Sequence, residues 1–179
     1  TNANFATVTF DVTDGYQTIT PIDEVVVTIT GHNSTLSYDG EEHSVSGYDV
    51  EISNTLYKEA DFTFSGTATA SRTNVVEGTD TDGQTDMGLD KDQFTNTNKN
   101  FSKVTFNVTD GYQKITPINA TVTITGNNST DPYDGAAHTV TGYTATTTST
   151  LYDVDNDFTF SGTASASRTD AGTTNMGLA

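Results

Sequence analysis

The stretch from Val104 to Pro117 reads VTFNVTDGYQKITP, and VTFDVTDGYQTITP has already appeared at Val8 to Pro21, 96 residues earlier. A chain that repeats itself at this spacing is built from serial structural units, and the repeat has to be read before anything local is. Working outward, TITGHNSTLSYDGEEHSVSGY at Thr28 to Tyr48 returns as TITGNNSTDPYDGAAHTVTGY at Thr123 to Tyr143. DFTFSGTATASRT at Asp61 to Thr73 returns as DFTFSGTASASRT at Asp157 to Thr169, and MGL at Met87 returns at Met176. The first copy carries additional residues around VVEGTDTDGQ, an insertion of the kind surface loops tolerate.

Alternation supplies the element type. In FTFSGTATAS, Phe62, Phe64, Gly66, Ala68 and Ala70 fall on one face, with Thr63, Ser65, Thr67, Thr69 and Ser71 on the other. That period of two predicts a single half-buried strand. Val25, Val27 and Ile29 alternate in the same way, as do Val8, Phe10 and Val12, and their second-copy partners Val122, Ile124, Val104, Phe106 and Val108 keep the apolar face. Asp14-Gly15 and Asp110-Gly111 stand between two apolar runs, a dipeptide that suits a tight hairpin turn. Asp39-Gly40 and Asp134-Gly135 predict a second turn. Only LDKDQF, Leu89 to Phe94, suits a short helical turn. The expected class is all-β, as two tandem small β-sandwich repeat domains, Ig-like or β-grasp-like, in an elongated array.

Composition narrows the function classes. The 179 residues hold no cysteine, so neither disulfides nor thiolate metal sites stabilise the fold. Seven lysines and arginines against a formal charge of −17 oppose binding to nucleic acid or anionic lipid. No apolar run is long enough to span a bilayer, so membrane insertion is not expected of this chain. No basic leader with an apolar run begins at Thr1, which places any targeting or anchoring signal outside this sequence.

Ile-Thr-Pro-Ile occurs at Ile19 to Ile22 and again at Ile115 to Ile118. Proline fixes φ and removes a ladder donor, so these sites mark domain boundaries. On that phase residues 1–21 are the terminal strands of a preceding repeat, 22–117 a complete repeat, and 118–179 a repeat lacking its last strands. Ile115, Thr116, Pro117 and Ile118 form the inter-domain joint, where one strand runs through a single proline into the next with little slack. The strands missing from 118–179 would bury counterparts of Val8, Phe10, Val12, Tyr16 and Ile19, each worth about 1.5 to 3 kcal/mol. Residues 1–21 are the matching piece, and their donation to a neighbouring copy would build an open head-to-tail fibre.

The ordered set TITG, YDG, H-x-V-x-GY, LY, DFTFSGTA, MGL and VTF-x-VTDGYQ-x-ITP resembles the YDG and MBG type repeats of very large bacterial cell-surface adhesins, over nearly the whole chain. The resemblance implies an extracellular, surface-located spacer with no cofactor and no catalytic residue. The expected partners are neighbouring repeats or other copies of the chain. The alternative is a low-affinity module for a host glycan or protein that acts through avidity.

Candidate chemistry is sparse. His43 and His138 recur and are read as hydrogen-bonded strand residues, whereas His32 is replaced by Asn127. Arg72 and Arg168 recur and are expected to pair with a local carboxylate or strand-end carbonyls. Asp80, Asp82 and Asp86 invite a calcium reading, but the spacing fits a helix-loop-helix calcium loop poorly, and Asp153, Asp155 and Asp157 lie elsewhere in the repeat. Both clusters are read as solvated loops. Gln17 and Gln113 recur among many threonines, which leaves a threonine-to-glutamine ester open. The expectation is a structural protein and not an enzyme.

Overall fold

The computed structural model describes residues 2–178. The chain is all-β, with two short 3-10 turns at Glu59–Asp61 and Lys91–Gln93, the second inside the predicted LDKDQF segment. The strands of the first repeat are β1 (Val25–Gly31), β2 (Asn33–Ser37), β3 (His43–Ser46), β4 (Tyr48–Ile52), β5 (Phe62–Phe64), β6 (Thr69–Arg72), β7 (Gln84–Asp86), β8 (Phe94–Asn96), β9 (Val104–Thr109) and β10 (Tyr112–Thr116). In the second repeat β11 (Val122–Gly126), β12 (His138–Thr141), β13 (Tyr143–Thr147) and β14 (Ser165–Arg168) follow. Among the described residues two compact units interleave along the sequence: residues 2–33, 45–70 and 86–112 form one, and 34–44, 71–85 and 113–178 the other.

In the first unit β1 is the central strand. It pairs antiparallel with β4 (Val27 to Ile52, Ile29 to Val50) and parallel with β9 (Val25 to Val104, Val27 to Phe106, Ile29 to Val108). A strand bonded on both edges can seal its inward face, and Val25, Val27 and Ile29 are fully buried. β5 and β8 form an antiparallel pair whose phenylalanines pack on that sheet. Phe94 stacks with Phe64 at 4.8 Å and with Phe106 at 5.6 Å, and Tyr57 meets Phe101 edge-on at 5.0 Å. The buried Tyr57 hydroxyl donates to the Asp61 carbonyl and to Asn96 Oδ1.

Asp110-Gly111 is not a hairpin turn. β9 lies in the sheet β4-β1-β9, whereas β10 lies in β2-β10-β7, so the chain changes sheets at this dipeptide. Gly111 does not take positive φ. Its missing Cβ is what matters, because a Cβ there would meet the His32 carbonyl oxygen and the Gly31 backbone. The Asp110 carboxylate accepts hydrogen bonds from the amides of Gly88, Leu89 and Gly111. The second turn behaves as expected: Gly40 and Gly135 have φ of 87° and 83°, a conformation that favours glycine.

FTFSGTATAS forms two strands, β5 and β6, and not one. Burial still alternates across it, from half-buried Phe62 and Phe64 to buried Ala70. The ladder partner changes from β8 to β3 in between, and a Cβ at Gly66 would collide with Gln93 and Phe64. Period two reports which face a residue takes, not which strand it bonds.

In the second unit β11 pairs with β13 and β12 with β14, both antiparallel. Val122 lies opposite Thr147 and Gly126 opposite Tyr143, the equivalents of Val27 with Ile52 and Gly31 with Tyr48. The backbone clamp at the start of the sheet is copied too. In one repeat Val26 N–H donates to Ser53 Oγ, and in the other Thr121 N–H donates to Thr148 Oγ1. No second ladder forms on β11 among the described residues, and the counterpart of β2, residues 128–132, is not a strand.

Candidate assembly site

Ile115 and Thr116, expected at a joint, bond to residues of the first repeat. Ile115 is 1 % exposed, and its N–H donates to the Gly83 carbonyl. Tyr38 N–H donates to the Thr116 carbonyl at 2.9 Å, and Thr116 Oγ1 donates to the Leu36 carbonyl at 3.2 Å. Tyr112 N–H donates to Asn33 Oδ1. These contacts rise together along both strands, as in a parallel pair, with the sequence offset of about 79 that β1 and β9 show. Pro117 and Ile118 then leave the sheet and line a cleft of about 390 Å³ with Tyr38, Val76 and Leu151. The expectation of a single proline between strands is corrected: residues 117–121 intervene before β11 begins at Val122.

The repeated stretch at the N-terminal end behaves differently. Val8, Phe10, Val12, Tyr16 and Ile19 are 58 %, 83 %, 81 %, 93 % and 87 % exposed, and no strand forms among described residues 2–21. The half-buried strand expected at Val8 to Val12 is therefore absent within the chain, because an alternating pattern needs a partner edge before it can bury a face. The hydrogen bonds of this segment are local, such as Gln17 Nε2 to the Thr18 carbonyl.

The edge of β11 differs from that of β1. Ile124 is 39 % exposed and Val122 half-buried, whereas their equivalents Ile29 and Val27 are fully buried. Tyr133 is 70 % exposed, whereas its equivalent Tyr38 is half-buried and bonded to β10. Both differences fall where β9 and β10 cover the first repeat. Sequence patterning marks Val122 and Ile124 as inward but carries no signal that β11 has a single ladder among the described residues.

The polar candidates act inside turns. His43 Nε2 meets Asp39 at 2.9 Å and His138 Nε2 meets Asp134 at 2.9 Å, in each case with the aspartate also accepting an N–H two residues on. The Glu41 amide and then His43 hold Asp39 below the usual carboxylate range, and the Ala136 amide and then His138 do the same for Asp134. Asp134, and more weakly Asp131, raise the pKa of His138. His32 Nδ1 bonds the Ser46 carbonyl at 2.8 Å, and Asn127 Nδ2 donates to the equivalent Thr141 carbonyl at 2.9 Å. Histidine and asparagine thus do one job, which reading by residue type missed. Neither the 390 Å³ cleft nor one of about 310 Å³ between Leu89–Lys91 and Phe106–Val108 is lined by a histidine.

Arg72 is 2 % exposed and fully engaged. Its guanidinium donates to the carbonyls of Asn74, Val75 and Gln84, to Thr85 Oγ1 and to Asp80 Oδ2 at 2.7 Å. Asp80, held below the usual carboxylate range chiefly by Arg72, is therefore already committed, and Asp82 Oδ1 accepts the Gln84 amide. Among the described residues no group of three or more histidines and carboxylates is placed to hold a metal. Asp153 and Asp157 likewise accept turn hydrogen bonds from Asp155, Asn156 and Asp153. Arg168 keeps two carbonyl bonds and Thr174, but it is exposed. Gln113 is fully buried, its Nε2 donating to the Lys114 carbonyl while Oε1 lacks a partner.

No family model, curated protein or solved structure matches this chain. The site is accordingly defined by its own repeat. One copy of VTF-x-VTDGYQ-x-IT is built into a core, the other copy is exposed, and one equivalent edge lacks that partner.

Proposed function

We propose that this chain is a structural spacer or fibre-forming repeat of a bacterial surface adhesin or filament, extracellular and without catalytic activity. The observation that carries the reading is the burial of Ile115 at 1 % beside Thr116 and Pro117, at the end of β10, the last strand of the first repeat. On this reading the last two strands of a repeat complete it, and residues 117–121 then lead into the next repeat. Force entering at the start of β1 and leaving past the end of β9 loads their parallel ladder along the strands, so its hydrogen bonds share the load. The ordered YDG-type motifs support the adhesin assignment, and the copied strand register of β1 with β4 and β11 with β13 supports a serial array.

The low-affinity glycan or host-protein reading draws support from exposed Tyr133 alone, since Tyr16 lies in the repeated strand segment and Tyr57 is in the core. The deciding experiment is single-molecule extension of the chain held at its two ends. A spacer yields a discrete unfolding step that releases the 22–117 repeat, a contour gain of up to about 330 Å at 3.3–3.6 Å per residue. Extension without any resolvable force step would sink the reading.

A further inference from the structure

We propose that residues 8–20 of one copy complete the second repeat of another copy by pairing in parallel with β11 and with residues 128–133. The inference rests on the spacer reading and adds the partner that covers the β11 edge.

Three observations converge. The edge is specific, because β11 already holds the register of β1 against β13, and Val122 and Ile124 wait on the uncovered side. The occupant is encoded in the chain: residues 8–21 differ from 104–117 only at Asp11 for Asn107 and Thr18 for Lys114. Neither position is among the inward apolar ones. Finally, Phe10, Val12, Tyr16 and Ile19 are all more than four-fifths exposed, although their equivalents Phe106, Val108, Tyr112 and Ile115 are partly or fully buried.

The register follows from the two repeat offsets applied to the observed β1–β9 pairing. Val8 falls opposite Ala120, Phe10 opposite Val122, and Val12 opposite Ile124. Tyr16 N–H then reaches Asn128 Oδ1 as Tyr112 reaches Asn33, and Tyr133 N–H reaches the Thr20 carbonyl as Tyr38 reaches Thr116. Gln17 enters the slot that Gln113 fills in the first repeat. Donor and acceptor are different surfaces, so the contact is heterologous and propagates head to tail.

The chain has no cysteine, which permits a clean test. One copy carries Val12→Cys and a tagged second copy carries Ile124→Cys. The two are mixed and oxidised, with Thr123→Cys, on the opposite face of β11, as the control. The expected result is a heterodimer from Val12 with Ile124, its loss with Thr123→Cys, and concentration-dependent oligomers of the unmodified chain in light scattering. A peptide of residues 8–20 should bind the chain and break up those oligomers, and Ile124→Asp should abolish that binding. The proposal is overturned if no heterodimer forms, or if a double variant closes only within single chains at the mass of a monomer. A chain that keeps its force step but fails to cross-link loses this proposal and keeps the spacer reading, whereas loss of the force step removes both.

Discussion

Ile29 and Ile124 occupy one position of a repeated strand, opposite Val50 and Ala145 in the same register, yet Ile29 is fully buried and Ile124 is 39 % exposed. Local sequence is nearly the same around both. What differs is β9, which lies parallel on β1 and places Val108 beside Ile29. Burial at this position is therefore set by a strand far along the chain rather than by the strand itself.

Ile29→Ala should cost about 2 to 5 kcal/mol, because it opens a cavity in a core that cannot collapse around it. Ile124→Ala should cost about 1 kcal/mol or less, as is usual for partly exposed positions. Chemical denaturation of the two variants, followed by tyrosine fluorescence, checks the contrast. Equal losses would mean that the β11 edge is covered in solution.

Arg72→Ala should destabilise by about 1 to 3 kcal/mol, since it removes the buried donor shared by the carbonyls of Asn74, Val75 and Gln84 and by Asp80. Arg168→Ala, at an exposed guanidinium, should fall within about 0.5 kcal/mol of the unaltered chain. The Asp80 carboxyl has a depressed folded pKa, so its contribution is present above the ordinary aspartate range and is lost as pH falls through the lowered value. Asp80→Asn should flatten the acid limb of a melting-temperature profile, and an unchanged limb would show that the pair contributes nothing.

His32 supplies the opposite sign. The Ser46 carbonyl, and then Asp49, raise its pKa, so its stabilisation is complete below the ordinary value of 6.5 and fades as pH rises through the raised folded value. His32→Asn installs the residue that the second repeat uses at Asn127 for the same carbonyl. The variant should keep its stability at high pH and lose the decline above pH 6.5, as read from melting temperatures across pH 5 to 9. A decline that survives the substitution assigns it to another group, with His138 the next to test.

The repeat, the strand faces and the inward positions were legible because a period of two and a copied sequence are local signals. Alternation alone marks Val25, Val27 and Ile29 as inward, and they are fully buried in the first unit. The parallel pairing of β1 with β9 was not legible, since it joins residues such as Val25 and Val104 across most of a repeat. Asp-Gly misled for a related reason. At Gly40 the dipeptide answers to backbone conformation, but at Gly111 it answers to the close approach of Gly31 and His32, which only the folded neighbours reveal. Arg72 was recognised as a pairing residue, yet its depth depends on Asp80, which sits in the insertion that the second copy lacks.

Gly15 separates the chain alone from the chain in company. Nothing lies within 4 Å of a Cβ built on Gly15, and its φ is not in the left-handed region, so Gly15→Ala should leave the melting temperature of dilute chain unchanged. Gly111→Ala, its equivalent in the first repeat, drives a methyl into the backbone of Gly31 and His32 and should cost at least about 1 to 3 kcal/mol. If residues 8–20 dock on β11 in the register of β9 on β1, Gly15 meets the backbone of Gly126 and Asn127 as Gly111 meets Gly31 and His32. Gly15→Ala should then abolish the oligomers seen in light scattering at high concentration while leaving the dilute chain intact. Oligomers that persist in this variant would place the contact somewhere other than the repeated strand.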